Sequence, residues 1–70
     1  MSEPFNDLTP KEDELLECLT EECAEVIHAL AKAKRHGLLS TNPDSDDGCI
    51  TNLDDITREV GQVLAIVDLL

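Results

Sequence analysis

The fold is decided by residues 9–37, TPKEDELLECLTEECAEVIHALAKAKRHG, which contain neither glycine nor proline between positions 11 and 36. Thr9 suits the N-cap of a helix, and Pro10 suits its first position. Glu12 is the third helical residue, where a capping box places its acid. Gly37 suits the C-cap that ends the helix. The stretch therefore predicts an α-helix over residues 10–36.

A second helix is predicted over residues 52–70, NLDDITREVGQVLAIVDLL. Thr51 or Asn52 suits its N-cap, and Gly61 lies in its interior at a cost of about 1 kcal/mol relative to alanine. Residues 1–9 form an irregular lead, and residues 37–51 form an acidic loop between the helices. The short connection predicts a single all-α domain over residues 1–70, folded as an antiparallel helical hairpin.

The chain of 70 residues can hold one small domain, and its core must be aliphatic because Phe5 is the single aromatic residue. Two helices cannot enclose a core, and Leu69 and Leu70 end the second helix without a polar cap. We therefore expect homo-oligomerisation into a four-helix bundle, as a homodimer or a homotetramer. The alternative is that the sequence is a trimmed piece of a longer helical protein.

The chain carries 16 acidic and 5 basic residues, a formal net charge of −11. This balance argues against nucleic acid and against a membrane surface as partners, because both are anionic. Carboxylates instead suit divalent cations, or an anionic ligand bound through them. Cys18, Cys23 and Cys49 lack a zinc-binding spacing, and the N-terminus lacks a secretory signal. A cytoplasmic location is therefore expected, which for a viral protein means the host cytoplasm.

Each predicted helix has one apolar arc when residues are placed at 100° intervals. The first arc is predicted to contain Leu15, Leu19, Cys23, Val26, Leu30 and Ala33, and the second Leu53, Ile56, Val60, Val63, Leu64 and Val67. Glu22 falls at the margin of the first arc, and Glu59 falls inside the second. A carboxylate in an apolar arc must be compensated, which leaves three interpretations of Glu59. It pairs with a base on the facing helix, it lies at an exposed rim, or it joins Glu22 and Glu25 in a site of oxygen ligands that suits magnesium.

Two short acidic motifs stand one on each predicted helix: residues 21–25 are EECAE, and residues 59–62 are EVGQ. The first resembles the EExxE motif, and the second stands in the place of the ExxD motif, of the MazG-like, all-α nucleoside triphosphate pyrophosphohydrolases. The flanking sequence is similar to that of short bacteriophage members. The resemblance covers residues 14–37 and 52–70, more than half of the chain.

The resemblance implies an oligomeric helical bundle that hydrolyses a nucleoside triphosphate to the monophosphate and pyrophosphate. It implies Mg²⁺ or Mn²⁺ as cofactor, because such ions neutralise phosphate charge and activate water. The implied metal ligands are Glu22, Glu25, Glu59 and Gln62, with Glu21 and Glu22 as catalytic residues. Glu21 is a further ligand or orients the attacking water.

The resemblance also places Lys34 and Arg35 near the substrate phosphates and Asn52 near the sugar or a phosphate. Each of these residues also has a structural explanation. Lys34 and Arg35 complement the negative end of the first helix's dipole, and Asn52 caps the start of the second helix.

Three departures separate the chain from the family pattern. Gln62 stands where the family has Asp, which removes a charge, and Asp55 is a candidate replacement ligand one turn before Glu59. The gap between the motifs is longer than usual, and the family domain continues with further helix. These departures favour an alternative, a catalytically degenerate nucleotide- or metal-binding or regulatory helical protein. A plain interaction module is a third hypothesis, and Glu25 with His28 gives an ExxH pattern like that of di-iron bundles.

Overall fold

The computed structural model describes residues 6–41 and 50–70, which contain two α-helices, α1 (Pro10–His36) and α2 (Asn52–Leu69). The helices pack in opposite directions, because Lys32 late in α1 meets Asp55 early in α2 and Glu22 meets Gln62 further along. The predicted all-α fold with two packed helices is confirmed. Residues 1–5 of the predicted lead and 42–49 of the predicted acidic loop lie outside the described residues. Neither helix of the described part combines the length and apolar content that a membrane crossing needs.

Both helices begin with a complete capping box. In α1 the hydroxyl of Thr9 accepts from the Glu12 backbone N–H at 3.1 Å, and the Glu12 carboxylate accepts from the Thr9 N–H at 2.9 Å. Thr51 and Asp54 make the same reciprocal pair at the start of α2, with both distances at 3.1 Å. Each box satisfies two backbone donors that a helix otherwise leaves unpaired.

The end of α1 is tied directly to the start of α2. Gly37 has a φ of 94°, which favours glycine, and its N–H donates to the Ala33 carbonyl at 2.7 Å. The side chain of Asn52, only 3% exposed as a residue, donates from Nδ2 to the Gly37 carbonyl at 2.9 Å. The Asn52 N–H donates to the Ser40 carbonyl at 2.9 Å, so this amide fixes where α2 starts against α1.

The contact between the helices is a narrow seam in which buried and half-buried residues recur at alternating steps of three and four. The seam residues on α1 are Leu15, Leu19, Glu22, Val26, Ala29 and Ala33, and those on α2 are Asn52, Ile56, Glu59, Val63 and Ile66. This is the repeat of a coiled-coil seam. Glu12, Lys32 and Asp55 are half-buried as well. Ala29, 7% exposed, is the only buried hydrophobic residue within residues 6–41 and 50–70.

The seam corrects the apolar arcs predicted for both helices. Cys23 and Leu30 of the first arc are exposed, and so are Leu53, Val60, Leu64 and Val67 of the second. Each predicted arc spans two neighbouring rows of residues along its helix. A single partner helix covers only one of these rows, here called the covered stripe, and leaves the other exposed. Glu22 and Glu59 occupy positions in the covered stripe instead.

The uncovered apolar residues of the two helices lie on the same side of the hairpin. In an α-helix each residue is rotated about 100° around the helix axis from the residue before it. Because the two helices run antiparallel, the residues that directly follow seam residues point to the same side of the hairpin on both helices. We call this surface the apolar face: it consists of Leu16, Cys23, Ile27, Leu30, Leu53, Val60, Leu64 and Val67. Residues that precede seam residues, among them Glu25 and Arg58, lie on the opposite, polar side.

Candidate acidic site between the helices

Glu22 of α1 and Glu59 of α2 bring two carboxylates together in the middle of the seam. Glu22 is half-buried, and the side chain of Glu59 is only 13% exposed. Desolvation is the largest cause that raises the pKa of Glu22 above its ordinary value, followed by the charge of Glu59 and by a hydrogen bond between the two side chains. The charges of Glu25 and Glu21 raise the pKa of Glu22 further. The structure thus gathers the acids of both motifs around Glu22.

Gln62 partly offsets this repulsion. With its amide oriented by its hydrogen-bonding surroundings, Nε2 of Gln62 donates to both Oε1 and Oε2 of Glu22, at 3.2 Å each. An aspartate at this position would place a third negative charge beside the pair. Gln62 therefore supplies a neutral donor to the seam, and turning its amide would present an oxygen instead.

A chain of ion pairs runs beside the carboxylate pair on the polar side. Nη2 of Arg58 lies 3.2 Å from Oε1 of Glu59 and 3.4 Å from Oδ1 of Asp55. Nζ of Lys32 reaches Oδ2 of the same Asp55 across the helices, at 3.8 Å. The carboxylate of Asp55 is 15% exposed, whereas the Arg58 side chain is 58% exposed. Glu59 is thus paired with a base of its own helix, whereas one of the three alternatives left open by the sequence was pairing with a base of the facing helix.

A cleft of about 250 Å³ opens on the polar side next to Glu59. It is lined by Glu25, His28, Ala29, Lys32, Ile50, Asp55, Arg58 and Glu59. Both helices contribute acids and bases to it, so a ligand in the cleft would meet fixed charges of both signs.

The remaining predicted residues are distributed unevenly around this site. Glu21 is exposed on α1, one position before Glu22 on the polar side. Lys34 and Arg35 are exposed in the last turn of α1 and do not line the cleft. Asn52 is buried, with its amide nitrogen bonded to the Gly37 carbonyl, which favours its capping and tethering role.

Sequence reasoning missed Lys32 and Arg58 as residues of the site. Both immediately precede a seam residue, Ala33 and Glu59, which places them beside the acids. The signal that could have found Arg58 is its position next to Glu59 and three residues after Asp55, one helical turn away. Lys32 had no such signal, because its contact depends on the register between the helices.

The donor atoms at the site suit a hard cation. Within residues 6–41 and 50–70, no group of three or more His, Cys, Asp or Glu side chains is arranged to hold a metal ion. Mg²⁺ needs fewer protein ligands than that, because it keeps several waters and is typically held by one or two carboxylates together with substrate phosphates. The oxygens of Glu22 and Glu59, with the amide oxygen that Gln62 can offer, therefore fit Mg²⁺ or Mn²⁺.

Comparison with known proteins adds no further assignment. No protein-family model matches the chain, and no curated protein and no solved structure matches it either.

Proposed function

We propose that the chain is a Mg²⁺-dependent nucleoside triphosphate pyrophosphohydrolase of the MazG-like type. The observation that carries the proposal is the meeting of Glu22 and Glu59, one from each motif, in the seam beside Gln62. Two carboxylates in an apolar seam cost stability unless something compensates their charge. A divalent cation is the ligand that such a pair favours most directly.

In this proposal Glu22 and Glu59 hold the cation, Gln62 turns its amide oxygen toward it, and Glu25 lines the adjacent cleft. When bound, Mg²⁺ neutralises phosphate charge and lowers the pKa of a coordinated water. Glu21, exposed on the polar side, orients the attacking water and accepts its proton. The water oxygen bonds to the α-phosphorus, the bond from that phosphorus to the bridging oxygen breaks, and pyrophosphate leaves.

The proposed working form is a homodimer in which two apolar faces meet and build a four-helix bundle. The eight residues of the apolar face are uncharged although the chain carries a net charge of −11, so two such faces can meet without placing these residues opposite like charges. The cleft lies on the polar side, away from that face, so dimerisation leaves it open. A homotetramer would require a further contact surface on the polar or outer sides of the helices.

The activity is tested by measuring pyrophosphate release from a panel of ribo- and deoxyribonucleoside triphosphates, with Mg²⁺ and with EDTA. We expect Mg²⁺-dependent release that Glu59→Gln abolishes. Glu17→Gln is the control, because it makes the same Glu-to-Gln change at an exposed acid outside the site. Absence of release from every triphosphate, with a folded wild-type chain, would refute the catalytic proposal.

A second candidate function is binding of a metal–triphosphate complex without turnover. The observation that favours it is Gln62, whose neutral amide removes one carboxylate from the predicted ligand set. The same panel distinguishes the two functions, because a non-catalytic protein would bind the Mg²⁺ complex of a triphosphate and release no pyrophosphate.

A further inference from the structure

Arg58 holds the position of a movable counter-ion at the mouth of the site. Its two ion pairs, with Asp55 and Glu59, are both made by the same nitrogen, Nη2. The acids are 15% and 13% exposed, whereas the Arg58 side chain is 58% exposed. The carboxylates are therefore fixed by packing, and the guanidinium can leave them without a movement of either helix.

The charges around the cation site are negative in the free protein. Four carboxylates, from Glu22, Glu25, Asp55 and Glu59, stand against two cations, from Lys32 and Arg58, a formal balance of −2 with His28 neutral. One divalent cation brings this balance to zero. The site therefore repels a free polyphosphate, and this repulsion is removed once the cation is bound.

We propose that Arg58 exchanges partners on ligand binding: it neutralises Glu59 and Asp55 in the free protein, and it binds the substrate's phosphates when a divalent cation takes Glu59. This inference rests on the proposed function and assigns it a phosphate-binding residue that the sequence motifs do not contain. The planar guanidinium, with five N–H donors, suits phosphate oxygens, and the present pairs use one of its nitrogens. Lys32, anchored on Asp55 across the seam, supplies the second cation of the cleft.

The exchange predicts opposite effects of Arg58→Ala on two ligands. Because a competing cation is removed, Mn²⁺ without phosphate should bind about fivefold more tightly, as measured from the electron paramagnetic resonance signal of free Mn²⁺. Because a phosphate donor is lost, tripolyphosphate titrated in excess MgCl₂ should bind about tenfold more weakly by calorimetry. Arg58→Lys should restore part of the second affinity, since it keeps the charge and loses the planar geometry.

Lys11→Ala is the control, because Lys11 is exposed in the first turn of α1 and does not line the cleft. It removes one positive charge and should change neither affinity by more than about twofold. A merely structural role of Arg58 would weaken Mn²⁺ and tripolyphosphate together, and that result overturns the exchange. So does an Arg58→Ala variant that matches Lys11→Ala in both titrations.

The two levels of the proposal fail differently. If wild type releases pyrophosphate and binds Mn²⁺ but Arg58→Ala behaves like the control, only the exchange is wrong. If the wild type binds neither Mn²⁺ nor tripolyphosphate, and Glu59→Gln does not change pyrophosphate release, both the proposed function and the exchange are wrong.

Discussion

Truncation of Leu64 to alanine tests whether the apolar face is buried against a second chain. Leu64 belongs to that face and is 63% exposed in the single chain, so most of its surface remains available for burial. Full burial of a leucine side chain is worth about 1.5–3 kcal/mol, and the exposed share corresponds to roughly 1–2 kcal/mol. A symmetric dimer loses this contribution twice, roughly 2–4 kcal/mol, which weakens association by roughly 30- to 700-fold in Kd.

Sedimentation equilibrium over a concentration series measures that change, and circular dichroism checks that the helices persist. Leu69→Ala provides the matched control, because Leu69 is a leucine of the same helix with 61% exposure, but it lies off the apolar face. We expect Leu69→Ala to dimerise with nearly the wild-type Kd.

Equal Kd values for the two variants would refute the assignment of the interface to the apolar face. A wild-type chain that stays monomeric at the highest concentration measured would refute the dimer itself. Either result would leave the carboxylate site intact as a hypothesis, because that site lies in the seam and on the opposite side of the hairpin.

Gln62→Asp should lower the Tm in EDTA, because a third carboxylate replaces the amide that donates to Glu22, and it should tighten Mg²⁺ binding; a variant whose Tm is unchanged in EDTA contradicts the repulsion argument. In EDTA the raised pKa of Glu22 means that the folded chain keeps a proton that the unfolded chain releases, so stability falls as pH rises from about 4.5 through the raised pKa. Glu22→Gln should make the Tm in EDTA fall less steeply with rising pH. If the fall is as steep in the variant as in the wild type, it comes from the other acids of the chain and not from Glu22. Gly61→Ala should raise the Tm by about 4–8 °C, because the added Cβ meets nothing within 4 Å and alanine favours the helix by about 1 kcal/mol; a lower Tm would show a contact at that position.

The parts of the fold that depend on local chemistry could be predicted from the sequence. The capping box of Thr9 and Glu12, the helical position of Pro10 and the C-cap at Gly37 are all present, because each involves residues within a few positions of one another. Thr51, one of two predicted caps, begins α2. Capping motifs need no knowledge of the tertiary structure, and this is why they were readable.

The seam could not be predicted in the same way. A helix with two neighbouring apolar stripes can pack through either, and only the register between α1 and α2 decides which stripe is covered. The tether from Asn52 to the Gly37 carbonyl fixes that register, and it places Glu22 and Glu59 opposite each other. For the same reason Lys32 could not be assigned to the site, since its partner Asp55 lies on the other helix.

The two carboxylates in the seam explain why a helical pair with so small a hydrophobic core would need a cation and a second chain for stability. Glu22 and Glu59 occupy seam positions that an ordinary helical hairpin gives to aliphatic residues, and Ala29 is the sole buried hydrophobic residue of the described part. Gln62 and Arg58 offset some of the repulsion, but neither removes a charge from the seam. A cation that binds only the folded chain adds its binding free energy to folding, and a second chain on the apolar face does the same. Since the two surfaces lie on opposite sides, both contributions can add without competing, and in the proposed assembly folding, association and metal binding are one linked equilibrium.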